Sequence, residues 1–183
     1  MNKFSKIVGA TALATAFSFG AVQADDVSAK TYTATQTPYY KYSGYTSSNS
    51  DFVLDKDFIA AVKANNVTIN GYKVDAKRII QGASKTHDTK RVYDQEYSFF
   101  KKGDKRPYTA SLSVKAKSLK LTDVKKTYGT PHLFQPKLVA GATKAVPSKK
   151  DGVYIYNYNG SQIQFVVEKG YVQKVVLGHV GMA

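Results

Sequence analysis

The residues whose chemistry stands out are the lysines and arginines between positions 77 and 150. This stretch holds 18 Lys and Arg against 5 Asp and Glu, a net charge of +13, whereas residues 25–76 carry −1 and residues 151–183 carry 0. Concentrated charge creates a local field that attracts polyanions and speeds encounter with them. Most of these cations are lysines, which suit sequence-independent contacts with phosphates better than bidentate reading of a base edge. The pattern predicts an extended anionic partner.

Nucleic acid is the polyanion that this basic stretch is predicted to bind, with little sequence preference. Such binding is driven by the release of counterions from the phosphates, and it weakens steeply as salt rises. The same charge also suits a solvated surface that keeps the protein soluble, attraction to anionic wall polymers or lipid, or docking on an acidic host or bacterial protein. The residues predicted to form the binding surface are Lys85, Lys90, Arg91, Lys101, Lys102, Lys105, Arg106, Lys115, Lys117, Lys120, Lys125 and Lys126.

Rows of tyrosine are the second feature that could contribute to binding. Tyr154, Tyr156 and Tyr158 alternate along the sequence, so in a strand their side chains lie on one face. Such a row can stack unpaired bases, but it more often packs under a helix or across strands, and we favour packing here. Tyr39, Tyr40, Tyr42 and Tyr45 raise the same alternatives, although their polar, glycine-containing surroundings make exposure more plausible. The candidates for base stacking are Tyr40, Tyr42, Tyr154, Tyr156 and Tyr158.

Residue patterns typical of catalysis or metal binding are absent from the sequence. The chain has no cysteine, which excludes thiolate nucleophiles and thiolate metal ligands. Its three histidines, His87, His132 and His179, lie in unrelated contexts without the HExxH spacing of zinc enzymes. No GxSxG elbow or phosphate-binding glycine loop occurs. The sequence therefore predicts a protein that is not an enzyme and needs no metal or cofactor.

The first 24 residues have the layout of an export signal. Lys3 and Lys6 give a positive start, an apolar and small-residue run follows, and Ala24 marks the expected cleavage site. No later stretch approaches the roughly 20 apolar residues of a membrane-spanning helix. We therefore expect a secreted protein, with a signal peptide at 1–24, a flexible leader at 25–36 and a single α+β domain at 37–183.

The rest of the chain alternates short helices with strands. A helix is predicted over residues 54–63, where apolar residues recur at helical spacing and Asp55 can cap the first turn. A second is predicted over 121–129, capped by Thr122 and ended by Gly129. A strand is predicted over 67–74, with a turn at Asn70-Gly71, and further strands are predicted over 91–100 and 109–117. Three more are predicted over 153–158, 161–167 and 171–177, the first two joined by a hairpin turn at Asn159-Gly160. Residues 130–150 are predicted to be irregular.

These elements predict an α+β fold. In the strand 109–117, alternation places Ala110 and Leu112 on a dry face and Lys115 and Lys117 on a cationic face. A helix followed by strands occurs twice, which suggests a degenerate duplication. The simplest architecture is an antiparallel sheet, or sheets, with two short helices packed on one face, forming one compact domain.

Three blocks of the sequence are distinctive enough to compare with known families. They are residues 37–74 (TPYYKYSGYTSSNSDFVLDKDFIAAVKANNVTINGYKV), 121–129 (LTDVKKTYG) and 152–179 (GVYIYNYNGSQIQFVVEKGYVQKVVLGH). Together they resemble the immunodominant staphylococcal antigen B family. The resemblance implies an exported, non-enzymatic protein that binds extracellular nucleic acid, is recognised as an antigen, and is associated with virulence or biofilms. It carries over no catalytic residue.

A shorter likeness supplies the alternative function. The helix and three strands over 121–177 look like modules of bacterial envelope proteins and of secreted enzyme inhibitors, a likeness of fold more than of function. A protein-binding or inhibitor-like module, docking its basic patch on an acidic partner, is therefore the rival to nucleic-acid binding.

Overall fold

The structure, a computed structural model, describes residues 36–78, 88–139 and 146–179. In these ranges the chain forms two α-helices, α1 (Lys56–Lys63) and α2 (Leu121–Tyr128), and a 3₁₀ helix at Asp51–Leu54. The strands are β1 (Tyr40–Tyr42), β2 (Val67–Ile69), β3 (Tyr72–Lys73), β4 (Asp88–Val92), β5 (Gln95–Phe99), β6 (Thr109–Ser113), β7 (Leu133–Val139), β8 (Val146–Tyr158), β9 (Ser161–Glu168) and β10 (Tyr171–Gly178). The predicted signal peptide and the leader up to residue 35 lie outside the described residues.

Seven of the strands form one large antiparallel sheet. Its order is β4-β5-β6-β10-β9-β8-β7, and each neighbouring pair is antiparallel. The strands β1, β2 and β3 form a second sheet, in which β1 pairs with β2 in parallel and β2 pairs with β3 antiparallel. The predicted α+β class is confirmed, and the parallel β1–β2 pair is a feature that the sequence pattern did not indicate.

Two three-stranded meanders, β4–β6 and β8–β10, meet at the centre of the large sheet. Their last strands pair over five residues, from Thr109↔Gly178 to Ser113↔Lys174. Two copies of a unit related by a twofold rotation would meet in this way, last strand against last strand. The topology is therefore consistent with the duplication predicted from the sequence.

Both helices pack on the same face of the large sheet. The Ser161 hydroxyl of β9 donates to the carbonyl oxygen of Val62 in α1. The Tyr128 ring of α2 lies 5.2 Å from the Tyr156 ring and 5.0 Å from the Phe165 ring. Burying one large apolar side chain stabilises a fold by roughly 1.5–3 kcal/mol. Packing of this kind must stabilise the fold, because a chain without cysteine has no disulfides.

The helix starts agree with prediction for α1 and differ for α2. The Asp55 carboxylate accepts the Asp57 N–H at 3.3 Å and caps α1, as predicted. The predicted cap of α2 at Thr122 is wrong, because Lys120 occupies the N-cap position and forms no side-chain cap hydrogen bond. Lys120 pairs with Tyr171 in an isolated β-bridge, so a tertiary contact sets where α2 begins.

The two predicted hairpin turns are confirmed. Asn70 and Gly71 have φ of 47° and 85° between β2 and β3, and Asn159 and Gly160 have φ of 52° and 90° between β8 and β9. Asparagine and glycine tolerate positive φ, which such two-residue turns require.

The single strand predicted over 91–100 is wrong, since this segment contains a hairpin. Strand β4 ends at Val92, the chain turns at Tyr93 and Asp94, and β5 begins at Gln95. Tyr93 has a φ of 54°, a conformation in which tyrosine is uncommon. The turn lacks the glycine or asparagine that would have signalled it in the sequence.

The strand predicted over 109–117 ends early, at Ser113. The Thr46 hydroxyl donates to the carbonyl oxygen of Ser113 at 2.9 Å, and the Lys115 N–H donates to the Ser50 hydroxyl at 3.2 Å. The loop before α1 therefore takes the backbone groups that another strand would have bonded. Lys115 and Lys117 leave the sheet, and the predicted cationic strand face does not form.

The segment predicted to be irregular, 130–150, contains β7 and the first part of β8. Pro136 lies in β7 beside an irregularity between Pro136 and Leu138. A proline is tolerated there because β7 is an edge strand, where a missing N–H breaks no ladder. Proline content therefore indicated an edge strand rather than the absence of a strand. Residues 140–145 of the predicted irregular segment are outside the described ranges.

Gly178 and Gly160 offer a matched test of the close approach between β10 and Tyr108. Their φ angles are 94° and 90°, so a β-carbon strains both backbones alike. At Gly178 that carbon would lie 2.1 Å from the Tyr108 carbonyl oxygen, whereas at Gly160 the nearest atom is the Lys77 Cγ, 3.9 Å away. We expect Gly178→Ala to lower the free energy of unfolding by about 2–4 kcal/mol and Gly160→Ala by about 1 kcal/mol. Urea unfolding followed by circular dichroism measures both, and equal losses would contradict the steric account.

Candidate nucleic-acid interface

Four of the predicted binding residues lie together on the loop between β5 and β6. Lys101, Lys102, Lys105 and Arg106, here called the loop cluster, are all exposed. Asp104, in the same loop, is half-buried. Within the described ranges, none of the four cations lies within salt-bridge distance of a carboxylate. The cluster therefore presents four cationic groups to solvent without an ion-pair partner in that part of the chain.

Arg78 joins the loop cluster through contacts that sequence spacing does not show. The Asp75 N–H donates to the carbonyl oxygen of Pro107 at 2.8 Å, which brings this segment beside the loop. The Arg78 guanidinium lies 3.9 Å from the centroid of the Phe100 ring, and that ring packs 4.7 Å from Tyr108. A cation over an exposed aromatic face is stabilised by about 0.5–1 kcal/mol. Arg78 was absent from the predicted set, and it adds a fifth cation at this end of the sheet.

A second group of predicted residues lies at the opposite end of β6. Lys115, Lys117 and Lys120 precede α2, and Lys125 and Lys126 lie on it; these five exposed residues are here called the helix cluster. Because β6 covers five residues, its ends are roughly 14 Å apart at about 3.4 Å per residue. The structure thus distributes most of the predicted surface over two clusters rather than one face.

The remaining predicted cations lie on the edge strand β4 and occupy opposite faces of the sheet. Lys90 lies directly across from Tyr97 on the helix-covered face, and its Nζ is 5.3 Å from the Tyr72 ring centroid. Arg91, the next residue, lies across from Glu96 on the other face. Lys85 is outside the described residues. Neither Lys90 nor Arg91 extends a cluster into a continuous cationic face.

The tyrosine row of β8 packs in the core, as the favoured interpretation predicted. Tyr154 and Tyr156 are 3% and 2% exposed, and burial raises the pKa of Tyr156 to about 12. Their hydroxyls donate to the carbonyl oxygens of Lys150 and Gly129. Tyr158 is half-buried, and a lysine ammonium of α1 lies over its ring. Tyr154 and Tyr156 therefore have no ring face to offer a base.

The expected exposure of Tyr40 and Tyr42 is wrong. Both are buried, at 3% and 6% exposure, because β1 directs them inward and Lys41 outward. The Tyr42 ring stacks on Phe52 with 4.3 Å between centroids, and Tyr40 meets Phe58 edge to face at 5.3 Å. Alternation along the short parallel strand, rather than the polar neighbouring residues, decides their position.

Among the described residues, the exposed tyrosines are Tyr45, for which the sequence favoured exposure, and Tyr93, which the sequence did not single out. Tyr45 is 45% exposed and Tyr93 is 54% exposed. Their ring centroids are 4.8 Å apart at an interplanar angle of 66°, an edge-to-face contact. Tyr45 follows the buried stretch of β1 past Gly44, and Tyr93 lies in the turn that the sequence did not reveal. This pair of residues is here called the tyrosine pair.

Asp94 connects the two segments that carry the tyrosine pair. Its carboxylate accepts the N–H groups of Thr46 at 2.9 Å and Ser47 at 2.8 Å. The buried Gln95 amide donates to the Gly44 carbonyl oxygen at 3.0 Å and also contacts the Asp94 carboxylate. These bonds fix the loop before α1 onto the β4–β5 turn.

Comparison with known proteins gives a match over most of the chain. A family model described as immunodominant staphylococcal antigen B matches residues 39–177. The chain belongs to that family. Three relatives named immunodominant staphylococcal antigen B, from Staphylococcus aureus strains USA300, COL and N315, are each 35% identical over 185 residues. These alignments cover 98% of this chain and 96% of each relative. No solved structure matches the chain significantly.

Membership of the antigen B family confirms the resemblance that the three sequence blocks indicated. The matched range includes both helices and both clusters. It therefore extends through the loop cluster, which lies outside those blocks. The whole candidate interface belongs to the part of the chain that the family model covers.

The two described histidines of this antigen B family member have different surroundings. His132 is exposed, and a ring nitrogen of His179 lies 2.9 Å from the Gly160 carbonyl oxygen; His87 is outside the described residues. Across the described ranges, no three His, Asp or Glu residues converge as a metal site. Within the same ranges, each helix is too short or too polar to cross a membrane.

The hydrogen bonds of Asp94 lead us to expect that the stability of this family member depends on pH. Burial acts to raise the pKa of its carboxyl, but hydrogen bonds from Ser47 and the Thr46 N–H outweigh burial and hold the pKa below its ordinary value. A carboxyl with a lowered folded pKa stabilises the fold above its unfolded pKa, and that contribution is lost as pH falls through the folded pKa. We expect Asp94→Asn to lower the free energy of unfolding by about 1–2 kcal/mol at pH 7.

The difference between wild type and Asp94→Asn should shrink below about pH 4. Urea unfolding at several pH values between 2 and 7 measures this difference. A difference that stayed constant across the range would contradict the assigned role of the carboxylate.

Proposed function

We propose that this protein is a secreted, non-enzymatic binder of extracellular nucleic acid, with little sequence preference. The observation that carries the proposal is the loop cluster, whose four exposed cations have no ion-pair partner among the described residues. A phosphate backbone can bind there without first displacing a carboxylate. The surrounding segment, 77–150, supplies the net charge of +13 that would draw a polyanion to the site.

The chemistry of the loop cluster favours phosphate contact over base reading. Three of its four members are lysines, which act as hydrated point charges on flexible stems. Contacts to phosphates position a protein on nucleic acid but carry no sequence information. Arg78, held over Phe100, adds a cation whose position is more fixed.

The helix cluster is the weaker of the two sites in this proposal. Its five members are distributed over residues 115–126, and Asp123 lies among them. The Lys125 Nζ lies 5.0 Å from the Tyr154 ring centroid, so this ammonium already has an aromatic neighbour. We propose that the helix cluster contributes mainly to the general attraction of polyanions.

Export and exposure to a host are part of the same proposal. The layout of residues 1–24 is that of a signal peptide, and the relatives carry the name of an immunodominant antigen. A surface or released antigen of this charge would meet nucleic acid outside cells.

Two variants of equal charge test the proposal. The loop variant replaces Lys101, Lys102, Lys105 and Arg106 with Gln, and the helix variant replaces Lys115, Lys117, Lys125 and Lys126 with Gln. We expect the loop variant to bind single- and double-stranded DNA and RNA at least tenfold more weakly, and the helix variant to lose less. The slope of log affinity against log salt should become shallower by about 3 to 4 in the loop variant, because four phosphate contacts are lost.

Fluorescence anisotropy across a salt series, with heparin as competitor, measures these changes on residues 25–183. Absence of wild-type binding at low salt would contradict the proposal. Far tighter binding of heparin, or of an acidic protein, than of every nucleic acid would favour the alternative of a protein- or polysaccharide-binding module.

A further inference from the structure

We infer that the tyrosine pair, Tyr45 and Tyr93, is a stacking platform for an unpaired base of single-stranded nucleic acid. The inference rests on the proposed function and adds to it a second kind of contact, to bases rather than phosphates. It predicts that strands with accessible bases gain affinity that duplexes do not.

Exposure distinguishes the tyrosine pair from the other described tyrosines, all of which are buried or half-buried. Tyrosine is a large amphipathic ring that proteins bury in cores or use at contact surfaces. An edge-to-face pair leaves a ring face uncovered by its partner, and the two residues are 45% and 54% exposed. The inference places the base on such an uncovered ring face.

The backbone at Tyr93 has a conformation that tyrosine rarely adopts, although Lys117 and Lys169 adopt it elsewhere in the chain. A two-residue hairpin turn with positive φ is ordinarily built with glycine, asparagine or aspartate. Tyr93 adopts a φ of 54°, which costs a residue with a β-carbon roughly 1–2 kcal/mol. Strained conformations of this kind concentrate at binding and catalytic sites. The turn therefore carries this conformational strain at a position where the side chain contributes little to the core.

The platform is held in place before any ligand arrives. The Asp94 carboxylate joins the Thr46 and Ser47 N–H groups to the turn that carries Tyr93. The Tyr42 hydroxyl donates to the Tyr45 carbonyl oxygen at 2.8 Å. A preorganised aromatic surface loses little conformational entropy on binding, so more of the stacking energy appears as affinity.

Two exposed cations lie on segments joined to the tyrosine pair and indicate the class of partner. The pair lies at the end of the sheet opposite the loop cluster, because the β4–β5 turn and the loop before β6 leave opposite ends of β5. Arg91 lies on β4, two residues before Tyr93 in the turn. The Ser50 hydroxyl, which donates to the Thr46 carbonyl oxygen at 2.9 Å, also accepts the Lys115 N–H. Arg91 and Lys115 are exposed and lie outside salt-bridge distance of any described carboxylate. Exposed aromatic rings together with cations match a strand of bases and phosphates.

An abasic strand separates stacking from charge in the test. The double variant Tyr45→Ala/Tyr93→Asn removes both rings and places asparagine, which tolerates positive φ, in the turn. We expect it to bind a single-stranded oligonucleotide about tenfold or more weakly than wild type. Its affinity for an abasic strand of the same length, and for a duplex, should be unchanged, because those ligands offer phosphates without an accessible base. Leu133→Ala is the control, since Leu133 is 42% exposed on β7, the opposite edge of the sheet.

A tryptophan reporter tests the contact directly. The chain has no tryptophan, so Tyr93→Trp introduces a single indole at the platform and Leu133→Trp a control indole. Single-stranded oligonucleotide should quench the first and leave the second unchanged, while the abasic strand quenches neither.

The outcomes separate the inference from the proposed function. Wild-type binding that the loop variant weakens and the tyrosine variant does not would overturn the platform and leave the proposed function standing. Loss of affinity for abasic and base-bearing strands alike in the tyrosine variant would also overturn it. Absence of nucleic-acid binding by the wild-type protein would contradict both the stacking platform and the proposed function.

Discussion

The antiparallel pairing of β6 with β10 is the constraint on which the rest of the structure depends. It joins the two meanders into one sheet, over five residue pairs. The loop before β6 and the connection after it lie at opposite ends of the sheet, because they leave the two ends of this strand, Thr109 and Ser113. Those two connections hold the loop cluster and the helix cluster. The same short strand that completes the sheet therefore divides the cations, which the sequence places in one continuous segment.

Tyrosine supplies much of the core in a chain that has no cysteine and no tryptophan. Each buried ring adds apolar area, and its hydroxyl must find a hydrogen-bond partner. The hydroxyls of Tyr97, Tyr128 and Tyr156 donate to backbone carbonyl oxygens of Ile69, Val53 and Gly129. The first bond connects the large sheet to the small sheet, the second connects α2 to the 3₁₀ helix, and the third connects the large sheet to the end of α2. Tyrosine thus gives the core both its packing and several of its long-range polar connections, which leaves few rings for the surface.

The sequence by itself determined the family, the α+β class, the two helices, the glycine-containing hairpin turns and the concentration of positive charge. Each of these follows from local signals: helical spacing of apolar residues, alternation in strands, Asn-Gly pairs and a simple count of charges. Local signals also favoured packing of Tyr154 and Tyr156, because period two places both rings on one face of β8. The same rule could have placed Tyr40 and Tyr42 inside, had the exposed Lys41 between them been given more weight than the polar surroundings.

Tertiary structure alone decided where the candidate site lies. Arg78 reaches the loop cluster because Asp75 bonds to Pro107, a contact between residues far apart in sequence. Strand β6 stops at Ser113 because a loop more than sixty residues earlier takes its carbonyl group. Tyr93 is exposed because it lies in the turn between β4 and β5, which the hydrogen bonds of Asp94 hold in place. No glycine or asparagine marks that turn in the sequence. Composition and periodicity report what each residue favours locally, whereas these positions depend on which distant backbone groups become bonded, and only the folded chain determines that.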